Sequence, residues 1–368
     1  MKNLTLDPNN TLCNVGNSIL KYFEVPTFHE SFKPLDEVLK KSNKKKVCLV
    51  LFDAFGKAII DLYADRIPFI KDHIFKEFKS VYPPTTVAAT TSLTTGKYPI
   101  ETGYLGWTEY FKEYNDEIHV FPSVSKLIKD KKYDSLQEGL LHVDKIWDLI
   151  NKQGKYKADV IQSFMIAKKD EDEIVTLKRY FEKTNELLKT NNFLYSYCTE
   201  PDHTMHMEGV NCKKTEDIIL FLVNELKKLV ENNKDVLFIL HADHGMLDVD
   251  QFYLQKDKEL VNTLDKTYIS IEPRFSSLRV KNKEAFVKHY NENLKDKFIL
   301  KSKQEIKDEH IFGYGDEHPL FDDMLGDYFL ISDSKYMIND EYADVFFVGN
   351  HAGVTKDETA LYMMIFNS

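Results

Sequence analysis

Arginine is almost missing from this sequence. Arg66, Arg179, Arg274 and Arg279 are the only four in 368 residues, the other basic residues are lysines interleaved with acids, and the formal net charge is -10. A protein that grips a nucleic-acid backbone usually carries a basic stripe. An extended nucleic-acid surface is therefore excluded, while a nucleotide-sized substrate is not. Cysteine is equally scarce: Cys13, Cys48, Cys198 and Cys212 show no CxxC spacing and imply no disulfide framework. No apolar run approaches the roughly 20 residues that cross a bilayer. Residues 1–17 are polar and contain no apolar signal core. Internal repeats and low-complexity tracts are absent too. These absences lead to the expectation of a cytoplasmic protein with no membrane partner.

What remains is ordinary globular composition, with 43% hydrophobic and 29% charged residues. The length suits one large domain with an insertion, or two domains. Val47–Phe52 is a continuous apolar run, as expected of a strand buried on both faces. Phe193–Tyr197, Val236–Leu240 and Asp344–Val348 read the same way, and Ala158–Gln162 is a fifth, weaker candidate. A helix is expected over Glu216–Glu231, capped by Thr215 and carrying Glu216 and Asp217 where the helix dipole favours acids. Strands alternating with helices imply an α/β fold, a mostly parallel central sheet with helices on both faces. Tyr268–Phe312 has a different pattern: two short strands, a helix over Lys283–Asn293, another strand at Phe298–Leu300 and a charged helix. The expected organisation is one catalytic domain over 1–368 with a small β/α cap insertion at 265–315.

The residues that end the strands carry the chemistry. The first run ends in Asp53, and the Phe193 run leads into Asp202 and His206. The Val236 run leads into Asp243-His244-Gly245, and the Asp344 run into His351. Ligands of open α/β sheets bind beyond the carboxyl ends of the strands. An Asp or His at one such end is commonly a turn residue, but three of each at four ends form a ligand set. Imidazole with carboxylate suits zinc, and also manganese or iron. Six ligands exceed one tetrahedral site and suit two adjacent ions, the arrangement that clamps a transferring phosphoryl group.

Between the first and second ligand groups runs Tyr82-Pro83-Pro84-Thr85-Thr86-Val87, continuing to Thr95-Gly96. The prolines block a helix before it. Thr86 then falls near a helix N-terminus, where free N–H groups and the dipole favour a phosphate. A threonine hydroxyl needs a base or a metal to become a nucleophile.

With these pieces in this order, the sequence resembles the alkaline phosphatase superfamily, and most of all its type I phosphodiesterase/nucleotide pyrophosphatase branch. The resemblance spans residues 47 to 351. Counting back from Thr95-Gly96, it implies Thr86, rather than Thr85, as the nucleophile. It implies one metal on Asp202, His206 and His351, and a second on Asp53, Asp243 and His244, with the Thr86 oxygen completing that set. The implied cofactors are two divalent ions, zinc with manganese as the alternative. The implied reaction is double displacement through a phospho-threonine. Many members of the branch have Asn three residues after the nucleophile, where this chain has Ala89. They also often show Gly-Pro where it has Gly209-Val210.

The scarcity of arginine favours a small phosphate diester or nucleotide pyrophosphate substrate over a monoester, whose dianion usually asks for a bidentate Arg. A phosphomonoesterase, phosphonate hydrolase or phosphomutase is the alternative, and a silent metal- or phosphate-binding protein is the reading outside enzymes. Sulfatases carry Cys or Ser at the nucleophile position. Arg274 is the candidate cation reaching in from the cap, and His318 reads either as a contact to the substrate or a ligand or as a plain structural residue. Trp107 and Tyr104 read as core, with an aromatic wall as the alternative.

Overall fold

The structure is a computed structural model, and it describes residues 4–343 and 345–367. Six strands form the central sheet: β1 Lys46–Phe52, β2 Ile74–Lys79, β3 Ala158–Gln162, β4 Phe193–Cys198, β5 Val236–His241 and β6 Ala360–Phe366. Their order is β2-β6-β5-β1-β4-β3. The run β5-β1-β4-β3 is parallel throughout. β6 lies antiparallel to both β5 and β2. Every residue of β4 and β5 is buried, as is every residue of β1 after Lys46. Strands covered on both faces have no polar alternation to show, which is why these read as plain apolar runs.

Three features depart from the expected elements. Residues 345–348 of the expected Asp344–Val348 strand form no strand, and Asp344 lies outside the described residues. Val345 and Phe346 face solvent, while Phe347 packs its ring 4.6 Å from that of His206. The apolar run is thus a loop with one anchored ring, followed by a two-residue pairing of Gly349–Asn350 with Leu247–Asp248. The long helix is Lys213–Asn232, and its cap is Cys212, not Thr215. The Thr215 hydroxyl is committed to the Gly209 carbonyl at 2.8 Å. Finally, β2 and β6 have no counterpart in the sequence reading. β2 is an edge strand with alternating Lys and Glu, and β6 is rich in Met rather than β-branched residues.

A second sheet of seven antiparallel strands stands beside the first. Ser270–Glu272, Phe275–Leu278 and Phe298–Ser302 come from the 265–315 stretch, and they are joined by Thr108–Phe111, Asp116–His119, Val124–Ser125 and Tyr328–Ser332. Part of its apolar surface closes a separate small core that includes Leu254, Leu264, Phe286, Phe298 and Ile338. Among the described residues no helix is long and apolar enough to cross a membrane.

Candidate active site

Asp53, at the end of β1, takes its position from the sheet: its N–H bonds to the Cys198 carbonyl at the end of β4 at 2.9 Å. β5 delivers Asp243 and His244 beside it. Asp243 Oδ1 accepts from the N–H groups of Ala54 at 3.2 Å and His244 at 3.0 Å. Gly245 closes this turn, because a Cβ there would lie 1.9 Å from the Asp357 carbonyl oxygen. β4 leads into the helix Asp202–Glu208, which puts Asp202 and His206 on one face, one turn apart. His351 follows the Gly349–Asn350 pairing, and the next N–H, of Ala352, bonds to the Pro84 carbonyl at 3.1 Å. That bond ties the histidine loop to the segment preceding Thr86.

The helix Thr86–Thr95 starts at Thr86, with Thr85 as its N-cap residue. Thr86 Oγ1 is 3.2 Å from His244 Nε2 and 3.4 Å from Asp53 Oδ2. Ligand atoms within 4.8 Å of one another fall into two groups, Asp202 with His206 and His351, and Asp53 with Asp202 and His244. Asp202 is common to both. Asp243 adjoins the second group, with Oδ2 at 3.5 Å from His244 Nε2. The His244 and His351 rings stack with centroids 3.8 Å apart.

These side chains fit a pair of cations. Asp202 Oδ1, Asp243 Oδ2 and His351 Nδ1 are buried atoms with no hydrogen-bond partner. His206 Nδ1 is 2.8 Å from the Gly349 carbonyl and His244 Nδ1 is 3.0 Å from the Gly245 carbonyl. Each ring thus spends one nitrogen on a carbonyl and presents Nε2 as a ligand. Burial pushes the Asp202 carboxyl well above the ordinary range, and the Asp53 charge adds to it. Burial and then Asp53 raise Asp243 in the same way. Burial opposes the cationic form of His244, yet Asp243 and Asp53 outweigh it and hold the ring up at about 10. Burial takes His206 down to about 4, and burial with His244 and His206 drives His351 well below its usual value. Crowded carboxylates call for positive charge, and the neutral imidazole is the form that ligates a metal.

The cavity over Thr86 encloses about 750 Å³, and Asp53, Asp202, Trp107, Tyr197 and Lys145 line it. Two of the sequence readings of neighbouring residues change here, those of Trp107 and Arg274. Trp107 is 42% exposed and forms cavity wall, whereas Tyr104 is core. Arg274 does not reach the cavity. It is buried in a bidentate pair with Glu358, at 2.7 and 2.9 Å, and its remaining donors hold the Ser334 and Tyr336 carbonyls. Glu358 in turn accepts the Gly353 N–H at 2.7 Å, so the pair braces the His351 loop from behind. His318 packs under the turn at Gly103 and its Nδ1 accepts the Leu320 N–H at 3.3 Å, a structural place.

Three residues escaped the sequence reading. The Tyr197 hydroxyl donates to Asp53 Oδ2. Its signal was its place near the end of β4. Glu358 left no signal. Lys145, also without one, brings its ammonium to the cavity, 5.3 Å from the Tyr104 ring centroid. Among the described residues no carboxylate forms an ion pair with it, and burial pushes it down to about 8 against the pull of Asp148.

Fold and site together define a metal-dependent hydrolase of phosphoric esters on an alkaline-phosphatase-like scaffold. The match to the family model described as Type I phosphodiesterase / nucleotide pyrophosphatase runs over residues 47–354, and the chain belongs to that family of two-metal enzymes. Murine ectonucleotide pyrophosphatase / phosphodiesterase 5 superposes with a TM-score of 0.61 at 16% identity, covering 86% of this chain and 87% of that one. The human protein of the same name gives 0.63 at 15% identity, with 87% of each chain covered. Phosphonoacetate hydrolase from Sinorhizobium meliloti 1021 gives 0.66 at 14% identity, covering 87% of this chain and 89% of that one. A comparison with curated proteins gives no match.

Proposed function

We propose that the chain is a phosphodiesterase or nucleotide pyrophosphatase that works through a phospho-threonine on Thr86. One observation carries the reading: the Thr86 hydroxyl starts a helix inside a cavity, 3.2 Å from His244 Nε2 and 3.4 Å from Asp53 Oδ2. Asp202, His206 and His351 would hold one ion, and Asp53, Asp243, His244 and Thr86 Oγ1 the other; zinc suits this donor set, with manganese the alternative. When bound, such ions make a hydroxyl nucleophilic at neutral pH and offset charge on the leaving oxygen.

The chain's own groups do the rest. The helix N-terminus faces the phosphoryl oxygens with its N–H groups and dipole. Thr86 Oγ1 forms a bond to phosphorus as the bond to the leaving oxygen breaks, and the hydroxyl proton ends on the leaving oxygen. Water then bonds to phosphorus as the phosphorus–Oγ1 bond breaks, and Thr86 Oγ1 takes a proton from that water. Tyr197 and the Ala54 and His244 amides fix the Asp53 and Asp243 carboxylates, so that little reorganises during the reaction. Trp107 offers an apolar wall of a size that suits a nucleoside. Structures of the murine relative include an inactive form holding AMP, which supports a nucleotide-sized substrate here. We read 1–368 as one catalytic domain in which 265–315 is a small α+β insertion. Four free cysteines support a cytoplasmic setting.

Lys145 favours a second reading. An unpaired ammonium in the cavity matches a substrate with a second negative charge, as in the phosphonoformate held by the bacterial hydrolase. The test is hydrolysis of bis-p-nitrophenyl phosphate, p-nitrophenyl phosphate and phosphonoacetate with zinc or manganese, for wild type and Thr86→Ala. Diester preference, with Thr86→Ala losing at least about 10³ in turnover while keeping metal, is the expected outcome. Preference for phosphonoacetate moves the assignment to the second reading, and bound metal with no turnover of any ester favours a silent binder.

A further inference from the structure

Glu272 ends the short strand Ser270–Glu272 in the second sheet, and it is buried. Its Oε1 accepts two hydrogen bonds, from the Thr85 hydroxyl at 2.6 Å and from the Trp107 N–H at 2.8 Å. One carboxylate oxygen therefore touches the residue before the nucleophile and the residue that walls the cavity.

The bond to Thr85 is unusual for its position. A threonine at the N-cap normally turns its oxygen to an N–H of the first turn. Thr85 has the extended backbone of a cap, φ -136 and ψ 150, yet its side chain accepts nothing from the helix. The hydroxyl points the other way, into Glu272. The first helical bond of this turn is Ala89 N–H to the Thr85 carbonyl at 2.8 Å. Among the described residues the N–H groups of Thr86, Val87 and Ala88 make no bond to any backbone carbonyl or cap.

Backbone strain sets Glu272 apart as well. Among the described residues the only apolar ones with positive φ are Ala54 at 57, Ile271 at 75 and Ala352 at 81. They adjoin Asp53, Glu272 and His351. For a β-branched residue this region is a true outlier, held only where the surroundings enforce it. Gly106 helps to enforce it, since a Cβ there would lie 2.8 Å from both Ile271 Cγ2 and the Ile271 carbonyl oxygen.

We propose that Glu272 is a positioning residue that draws the Thr85 hydroxyl away from the helix N-terminus, leaving the Thr86, Val87 and Ala88 amides open to the phosphoryl oxygens. It thereby serves phosphate binding in a chain that has Ala89 in place of the asparagine common in this branch. The inference rests on Thr86 as the nucleophile.

The probe is inorganic phosphate, titrated as a competitive inhibitor against bis-p-nitrophenyl phosphate with the zinc-loaded full-length enzyme. Glu272→Met removes the acceptor at similar size, so Thr85 swings back to cap the helix. Phosphate affinity and kcat then fall on the order of tenfold, the worth of one strong cap. Glu272→Gln keeps an oxygen in place and stays close to wild type. The double variant Thr85→Val/Glu272→Met has no hydroxyl to cap with, and it binds phosphate better than Glu272→Met alone. A carboxylate that only braces the fold predicts the reverse, and a double variant as weak as Glu272→Met or weaker overturns the proposal. If Glu272→Met does not fold, Thr85→Asn stands in: asparagine caps more strongly, so phosphate affinity falls by a similar factor, and unchanged affinity overturns the proposal. Failure of the underlying reading looks different, because full turnover in Thr86→Ala would remove the nucleophile itself.

Discussion

At the residue scale, Lys145 is where charge and burial meet most openly. Burial lowers its ammonium to about 8, so it is cationic below that pH and neutral above it. A substrate with a second anion should therefore bind well at pH 7 and lose affinity as pH rises through about 8. The expected result is a rising KM for phosphonoacetate or a nucleoside diphosphate above that pH, a flat profile in Lys145→Met, and no such rise for bis-p-nitrophenyl phosphate in wild type. An identical pH dependence in Lys145→Met would refute the role. Nothing in the sequence distinguished Lys145 from the other lysines, since most of the residues that share the cavity with it are remote along the chain. Asp53, Asp202, Asp243 and the three histidines stood out in the sequence as candidates, because each follows a strand-like run or shares a helix turn with another of them.

At the scale of elements, the Arg274–Glu358 pair shows how a charge read as functional becomes a brace. Arg274 lies in the turn between two strands of the second sheet, and Glu358 belongs to the short helix before β6. Both are fully buried, and Glu358 also holds the Gly353 N–H beside the His351 loop. Removing one partner leaves an uncompensated buried charge, at a cost of about 3–5 kcal/mol. Arg274→Met is expected to lower the urea unfolding midpoint accordingly and to reduce bound metal, whereas Arg274→Met/Glu358→Leu regains much of the stability. A double variant no more stable than the single one would contradict this account. The loop containing Phe346 and Phe347 belongs to the same scale: its apolar run imitated a strand, but Val345 and Phe346 face solvent, while the Phe347 ring and the Val348 N–H are held against His206.

At the scale of the whole molecule, the ends of β1, β4 and β5, the His351 loop and a helix start converge on one buried cluster of carboxylates and imidazoles. Folding thus brings Asp53, Asp202 and Asp243 together at an electrostatic cost that bound cations would offset. Chelation should lower the thermal midpoint, and zinc at about a thousandfold over Kd should restore roughly 4 kcal/mol. A midpoint indifferent to chelator, with metal confirmed absent, would argue against the metal assignment. The sequence alone determined the parallel core strands, because strands buried on both faces must be apolar throughout, and it singled out Asp53, Asp202, His206, Asp243 and His244 as candidate ligands just beyond those strands, whereas His351 follows a loop whose apolar run only imitated a strand. The strands β2 and β6, the seven-stranded second sheet and the contacts of Lys145, Glu272 and Arg274 depended on tertiary structure. Edge strands and long-range hydrogen bonds have no local period, and whether a charged side chain meets a cavity, a hydroxyl or a counter-charge is settled only when segments far apart in the chain pack together.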